Sequence, residues 1–283
     1  SLSFSKAKAS ADRINEVLDT PSSINDTKNP IRIDNFDIEF KNVSFKYNEN
    51  SEYVLENISF KAKQGEKIGI IGSTGCGKST LISLIPRLYD VSEGEVLIGG
   101  VNVSNISLRE LRDNIGVVLQ DSILFSGTIE DNLKFGNKLA DINMMEDASR
   151  DAQAYEFINS KEEGYQSVVE QRGKNLSGGQ KQRLSIARTL IKNPKILIMD
   201  DSSSALDMQT ESYLQESIKN RMKNSTIITI AQRISGVMDC DKIIVLEDGK
   251  ISDIGTHNEL LLNSEIYRSI AVSQLGEEVA QSV

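Results

Sequence analysis

The chain has 283 residues, of which 39% are hydrophobic and 26% are charged, so it can build one large globular domain or two small ones. Its formal net charge of −9 argues against a nucleic-acid partner, because proteins that bind a phosphate backbone usually present a basic face. Cys76 and Cys240 are far apart and lack metal-ligand spacing, which argues against a disulfide framework and indicates a reducing compartment.

The first third of the chain changes from a helical pattern to strand patterns. Residues 2–18 carry apolar side chains at helical spacing among charges, which predicts a short amphipathic helix. Residues 20–30 form a polar, proline-bounded linker. Apolar and polar residues alternate over 31–60, which predicts strands of an antiparallel sheet. A buried strand is predicted at 66–72, and a hairpin-like pair at 94–103.

Helical patterns dominate residues 107–193, interrupted by a strand and a loop in "GVVLQDSILFSGT" (116–128). The final helical stretch is predicted at 257–275. Strands are predicted between these helical regions at 195–200, 225–231 and 242–251. Strands that alternate with helices around an apolar core predict an α/β domain with a parallel sheet, extended by an antiparallel sheet near the start.

The beginning of the chain reads as the middle of a longer protein. It opens "SLSFSKAKASADRINEVLDT" without an initiator Met or a signal peptide. No apolar run approaches the roughly 18 residues that a membrane-spanning helix needs.

A glycine-rich stretch, "GSTGCGKST", lies between the predicted strand at 66–72 and an apolar helical run. This matches G-x-x-x-x-G-K-[ST], in which backbone N–H groups turn inward toward phosphate oxygens. Lys78 would add a full charge near the β and γ phosphates, and the Ser79 hydroxyl can bind Mg²⁺. The predicted phosphate-binding residues are Gly72, Ser73, Thr74, Gly75, Cys76, Gly77, Lys78, Ser79 and Thr80. We interpret Cys76 as a small residue that fits the turn rather than as a reactive thiol.

A second glycine motif, "LSGGQ" (176–180), stands about twenty residues before the apolar strand "ILIMD". On these residues the chain resembles the ATP-binding cassette (ABC) family, whose signature sequence this is. The resemblance covers nearly the whole chain from about Phe36 onward, and "SLRELRDNIGVVLQDSILFSGTIEDNL" is similar to the exporter branch. It implies a P-loop NTPase (RecA-like) core, an antiparallel β-subdomain and an inserted α-helical subdomain.

The resemblance also implies roles for single residues. Tyr47 would stack on the adenine of ATP, and Gln120 would meet Mg²⁺ or the attacking water. Asp207 would cross the interface between two cassettes. The signature would cap the γ-phosphate held by a partner cassette through Ser177, Gly178, Gly179 and Gln180.

The family pattern implies a location and partners as well. Residues 1–33 would be the end of a transmembrane-domain helix and a linker, and 34–283 the nucleotide-binding domain, with its helical subdomain at about 121–183. The partners would be a second, non-identical cassette and the transmembrane domain of the same longer chain, at the cytoplasmic face of the plasma membrane. The exported small molecule would not touch this domain.

Two adjacent acids, Asp200 and Asp201, follow the apolar run of the "ILIMD" strand. The family resemblance implies a different role for each of them. Asp200 would bind Mg²⁺ directly or through water. Active cassettes carry Glu at the next position to polarise the attacking water, and Asp201 is one methylene shorter, a loss of roughly 1.5 Å in reach. A misplacement of about 1 Å can cost on the order of a hundredfold in rate.

Two further differences from the family pattern also indicate slow hydrolysis. Gln232 replaces the switch histidine and cannot carry a charge or relay a proton. Gln171 stands where exporters have Glu before Arg-Gly. These changes predict the degenerate, slowly hydrolysing half of a heterodimeric exporter. The alternatives are a homodimeric exporter that hydrolyses at both sites, a soluble ABC ATPase of DNA repair or translation, and a purely regulatory nucleotide-binding module.

The single histidine, His257, lies far from the switch position. It begins a predicted helix in "GTHNEL", which favours a role in capping or packing over one as a ligand.

Overall fold

A computed structural model describes residues 2–201 and 205–276 of the chain. The strands are β1 (Ile38–Phe45), β2 (Leu55–Ala62), β3 (Lys67–Ile71), β4 (Glu93–Ile98), β5 (Val101–Asn102), β6 (Ile115–Val118), β7 (Gly127–Thr128), β8 (Val168–Val169), β9 (Ile196–Asp200), β10 (Thr226–Ile230), β11 (Lys242–Glu247) and β12 (Lys250–Gly255). The helices are α1 (Leu2–Asp19), α2 (Lys78–Ser83), α3 (Leu108–Asp113), α4 (Ile129–Lys134), α5 (Ile142–Asp151), α6 (Tyr155–Asn159), α7 (Gly178–Leu190), α8 (Met208–Arg221), α9 (His257–Asn263) and α10 (Glu265–Leu275).

The alternating pattern near the start forms an antiparallel sheet in the order β2-β1-β4-β5, as predicted. It begins only at Ile38, so the prediction of strand from residue 31 is wrong for the first seven residues. The N–H of Ile31 donates to the carbonyl of Asn105, and the N–H of Phe36 donates to the side chain of Gln64. These N–H groups are satisfied by loops, and alternation alone cannot reveal whether a neighbouring strand exists.

The second sheet has the order β12-β11-β3-β10-β9-β6. Its strands β11, β3, β10, β9 and β6 run parallel. The stretch 242–251, predicted as one strand, turns back at Asp248 and Gly249, whose φ values are 46° and 75°. An Asp-Gly pair with both φ values positive is a preferred tight hairpin turn, so β12 pairs antiparallel with β11 at the edge.

The sheet order determines where the predicted site forms. β3 leads into the glycine-rich loop, β9 ends at Asp200, and β10 ends two residues before Gln232. Parallel neighbours end at the same edge of a sheet, so Asp200 and Gln232 meet the glycine-rich loop there, although more than a hundred residues separate that loop from both.

Helices complete three buried apolar clusters. One joins the antiparallel sheet to β3 and α2, the second lies among α4 to α8, and the third packs α9 and α10 against β11. The helix predicted at 257–275 is two helices, because Ser264 leaves helical geometry with φ −107° and ψ 113° and caps α10 with its hydroxyl. α1 confirms the amphipathic helix predicted at 2–18. No helix in the described ranges is long and apolar enough to cross a membrane.

Candidate nucleotide-binding site

The glycine-rich loop depends on glycine for steric reasons. A Cβ added to Gly72 would lie 2.1 Å from the carbonyl oxygen of Leu246, and one at Gly77 would lie 2.8 Å from Cδ2 of Leu55. Gly75 and Gly77 also have φ values of 83° and 104°, in the left-handed region that glycine adopts without strain. The loop therefore holds a conformation that larger residues cannot share.

Lys78 is buried within this loop, with 8% of its surface exposed. Its ammonium donates to the carbonyl oxygens of Gly72 and Ser73 at 2.8 and 2.7 Å and lies 3.7 Å from the sulfur of Cys76. All three acceptors are neutral, so the positive charge stays uncompensated by these contacts. A buried cation held by neutral acceptors fits an anionic ligand such as a triphosphate.

Cys76 packs as a small residue, as predicted. It is 4% exposed and belongs to the apolar cluster of the antiparallel sheet. Its carbonyl accepts a hydrogen bond from the N–H of Gly249, which joins the loop to the β11–β12 hairpin. The thiol is therefore a packing element of the loop.

Ser79 and Asp200 meet although 121 residues separate them. The Ser79 hydroxyl donates to Oδ2 of Asp200 at 3.1 Å. Burial raises the pKa of Asp200 above its ordinary value, and the bond from Ser79 partly opposes that rise. A hydroxyl and a carboxylate are the hard oxygen ligands that suit Mg²⁺, which often binds through one or two protein groups plus substrate phosphates. Within the described part of the chain, no group of three or more acidic, His or Cys residues could hold a metal by itself.

Asp201 has an unusual backbone. Its φ is 41°, and its N–H donates to the carbonyl of Ile230 on β10 at 2.9 Å. Its Oδ2 accepts a hydrogen bond from the amide of Gln120 at 3.3 Å. Burial raises the pKa of Asp201, the charge of Asp200 raises it further, and Arg233 opposes both. Two of the three predicted catalytic residues, Gln120 and Asp201, are thus brought together.

Gln232 is exposed, and its carbonyl rather than its side chain makes the hydrogen bond described below. It lines a cavity of about 570 Å³ together with residues 72–74 of the phosphate loop. It also lines a larger cavity of about 1040 Å³ that contains Asp201. The switch position therefore borders both the phosphate loop and the second acid.

Tyr47 lies beside α2. Its hydroxyl is 2.8 Å from the Thr80 hydroxyl, and its ring makes edge contacts with Phe45 and Tyr89, with centroid distances of 4.9 and 5.2 Å. About half of the side chain, 49%, remains exposed. The ring is fixed next to the phosphate loop, while adenine stacking itself stays a prediction.

The signature begins α7, as predicted. Ser177 caps the helix by accepting from the N–H of Gln180 at 3.2 Å, and Gln180 accepts from the N–H of Ser177 at 3.1 Å. This reciprocal pair is a capping box. The contacts described for Ser177 to Gln180 lie within α7 and with residues 205–206, and none of them reaches the phosphate loop.

Asp207 caps α8. It accepts from the N–H and the hydroxyl of Thr210 at 2.9 and 2.7 Å, and these bonds lower the pKa of Asp207. Its predicted interface role stays a prediction, and the preceding residues 202–204 of the "SSSALD" segment lie outside the described residues. Gln171 lies exposed in a short turn at 171–173.

His257 occupies the first turn of α9, where Thr256 rather than His257 provides the cap. Nδ1 of His257 is 2.7 Å from the hydroxyl of Tyr267 on α10, and burial lowers the pKa of His257. Of the two expected roles, packing is confirmed.

Two residues next to the site were not predicted from the sequence. Arg233 acts on Asp201 through its charge, and Gln274 on α10 bonds to the segment that carries Gln232. Gln274 lies 42 residues from Gln232, and no local pattern signals that contact.

The fold and site define a class of protein: a parallel-sheet ATP-binding domain with a phosphate loop, a metal-type acid and a second glycine motif. The ABC transporter family model matches residues 55–204, more than half of the chain. The chain therefore belongs to the ABC transporter family and is an ABC ATPase domain, with the mixed α/β fold expected from the sequence.

Similar proteins are about twice as long. The chain is 47% identical over 279 residues to the ABC transporter ATP-binding protein YfiB of Bacillus subtilis (strain 168), covering 99% of this chain and 48% of YfiB. It is 43% identical over 276 residues to YgaD of the same organism, which is named as a multidrug export ATP-binding/permease protein, covering 97% of this chain and 48% of YgaD. A solved structure of a bacterial Atm1-family ABC exporter with ATP bound matches with a TM-score of 0.91 and 34% identity, covering 96% of this chain and 48% of that one.

The chain thus spans about half the length of the curated relatives it matches.

Proposed function

We propose that this chain powers an ABC exporter through ATP-driven pairing with a second, non-identical cassette. Its own site binds ATP and hydrolyses it slowly, and its signature completes the active site of the partner. The pairing of Asp201 with Gln120, next to an uncharged Gln232, is the observation that carries the slow site.

The phosphate loop supports the binding role. ATP would lie with its triphosphate along residues 72–80, its charge paired with Lys78 and its adenine against Tyr47. Ser79, Asp200 and Gln120 are the residues that would hold Mg²⁺. When bound, the metal would neutralise charge on the β and γ phosphates.

The slow site is supported by the geometry of Asp201. A general base must reach the attacking water, and Asp201 combines a short side chain with a carboxylate oxygen that already accepts from Gln120. Its left-handed backbone also favours Asp over Glu, because Asp adopts that region more readily than longer side chains do. Gln232 can donate to a γ-phosphate but cannot take up or release a proton.

The signature supports the role toward a partner. Ser177 and Gln180 satisfy each other, so the first turn of α7 is stable without a ligand. A Cβ at Gly178 would meet only Ala205, at an ordinary 3.8 Å, so the interior of this chain does not require glycine there. A phosphate of a second molecule that approaches the first turn of α7 would require glycine at this position.

The wider assembly follows from exposed apolar groups and from the longer relatives. Exposed apolar residues of α1, Ile14, Val17 and Leu18, suit a helix that continues from a transmembrane domain within residues 1–33. Phe125 and Phe135 are both exposed and contact each other with tilted rings, 4.5 Å between centroids, in the predicted helical subdomain (121–183). Such an exposed aromatic pair suits a docking surface for the transmembrane domain. The 34–283 domain would then lie at the cytoplasmic face of the plasma membrane, away from the exported small molecule.

Restoring the usual residues tests the slow site. We expect Asp201→Glu combined with Gln232→His to raise Mg²⁺-ATP turnover by about a hundredfold, because the base regains its reach and the switch regains a titratable ring. The double variant keeps an intact signature, so two copies can form two complete sites and no separate partner is needed. Steady-state ATPase at rising protein concentration measures the gain.

The matched control is Lys78→Ala in the double-variant background, which removes phosphate binding and defines the zero of the assay. Turnover of the unmodified chain equal to that of the double variant would show that the slow site does not exist. Such a result would favour the homodimer that hydrolyses at both sites.

A further inference from the structure

The C-terminal helix α10 reaches the switch segment through one side chain. The Gln274 amide donates to the carbonyl of Gln232 at 2.7 Å, and its Oε1 accepts from the N–H of Ile234 at 2.8 Å. A single carboxamide thus bonds to two backbone groups of the segment that follows β10. We call the two bonds the Gln274 clamp.

The clamp acts where the chain leaves regular structure. β10 ends at Ile230, and a short 3₁₀ turn starts at Ile234. Between them, the backbone of Gln232 and Arg233 has no strand partner within the ladder of β10. Backbone groups outside a ladder need other partners. The carbonyl of Arg233 accepts from the N–H of Gly236, and the carbonyl of Gln232 accepts from the distant side chain of Gln274.

α10 is itself held firmly. Tyr267 and Ala271 are fully buried in the third apolar cluster, and Ser264 caps the first turn of the helix. Gln274 and Gln232 line the same cavity as residues 72–74 of the phosphate loop. The clamp therefore ties the switch segment to a packed helix that borders the same cavity as the phosphate loop.

We propose that Gln274 is a positioning residue that sets the approach of Gln232 to the γ-phosphate. This rests on the proposed contact between Gln232 and ATP. Loss of the clamp leaves the segment between β10 and the turn mobile in the free protein. Ordering the Gln232 side chain when ATP binds then costs conformational entropy, which weakens ATP binding. ADP lacks the γ-phosphate, and its affinity is independent of the clamp.

The test substitutes Gln274→Met, which keeps the size of the side chain and its helix propensity but removes the hydrogen-bonding amide. Ser273→Ala, an exposed neighbour on α10, is the matched control. ATP and ADP affinities are measured by calorimetry with Mg²⁺ for both variants, for Gln232→Ala and for the Gln232→Ala/Gln274→Met pair. Hydrogen exchange at the amide of Ile234 reports the clamp directly.

We expect Gln274→Met to lower the preference for ATP over ADP about fivefold, the size of one lost hydrogen bond, and to speed exchange at Ile234. Ser273→Ala should change neither. The pair should lose no more than Gln232→Ala alone, because both changes remove one shared contact.

Each possible failure of the proposal gives a different experimental result. If Gln232→Ala lowers the preference for ATP and Gln274→Met does not, or if Gln274→Met weakens ATP and ADP equally, the positioning role is wrong. If Gln232→Ala leaves the preference unchanged, the proposed contact with the γ-phosphate is wrong. In that case hydrogen exchange at the Ile234 amide tests the clamp by itself. An unchanged exchange rate in Gln274→Met would show that the Gln274 clamp does not hold the segment.

Discussion

The two glycine motifs of this chain, the phosphate loop (72–80) and the signature (176–180), use glycine for different reasons. In the phosphate loop, an added Cβ would strike the chain's own backbone at Gly72 and a neighbouring side chain at Gly77. In the signature, Gly178 and Gly179 lie in the first turn of α7, where the nearest atoms would be 3.8 and 3.3 Å from an added Cβ. The phosphate loop needs glycine at positions 72 and 77 in order to fold. In the signature, a Cβ at Gly178 would make an ordinary contact, whereas one at Gly179 would lie tightly against the carbonyl oxygen of Ala205.

The phosphate loop needs its glycines for the fold of this chain, whereas the signature glycine Gly178 is explained by contact with a partner molecule. Glycine costs a helix up to about 1 kcal/mol relative to Ala, so Gly178 in the first turn carries a penalty that this fold does not require. A close approach by another molecule is the physical reason that would justify it. Substitutions in the two motifs should therefore separate in their effects on the isolated chain.

The largest effect is expected from Gly72→Ala. Its Cβ would lie 2.1 Å from the Leu246 carbonyl, so β11 or the phosphate loop must shift, at a cost of about 3 kcal/mol in unfolding free energy. ATP binding should be lost at the same time. Chemical denaturation and calorimetric titration measure both. Gly100→Ala, at a positive φ with open space around it, is the control for a glycine that meets no neighbour.

An intermediate effect is expected from Ser177→Ala. It removes the hydroxyl that accepts from the Gln180 N–H, which should lower the unfolding free energy by about 1 kcal/mol without changing ATP affinity. Ser177→Asp restores a capping acceptor and should recover the stability. A weakened ATP affinity in Ser177→Ala would mean that the signature acts on this chain's own nucleotide, contrary to the comparison.

The smallest effect on the isolated chain is expected from Gly178→Ala. Its Cβ would make an ordinary contact with Ala205, and Ala favours the helix, so the unfolding free energy should stay equal or rise by up to about 1 kcal/mol. ATPase of the paired cassettes should nevertheless fall at least tenfold. Denaturation of the single chain and turnover of the Asp201→Glu/Gln232→His background carrying Gly178→Ala test the two halves. A large loss of stability would remove the distinction between the motifs.

Much of the fold was predictable because its signals are local. β3, β9 and β10 are short apolar runs, and the caps at Ser177 and Asp207 lie beside the helices they begin. Two of the errors have different causes. Alternation over residues 31–37 says nothing about whether a neighbouring strand exists, which depends on distant parts of the chain. The hairpin at Asp248 was signalled locally by the Asp-Gly pair, but hydrophobicity alone does not reveal it.

The sequence by itself determined which chemical groups are available: a phosphate loop, a capped glycine helix, and Asp201 and Gln232 where the family resemblance implies Glu and His. Only the tertiary structure decided which groups meet. The bonds from Ser79 to Asp200, from Gln120 to Asp201 and from Gln274 to Gln232 span 121, 81 and 42 residues. Such contacts follow from strand order and helix packing, which arise from the burial of the whole core and not from any one segment.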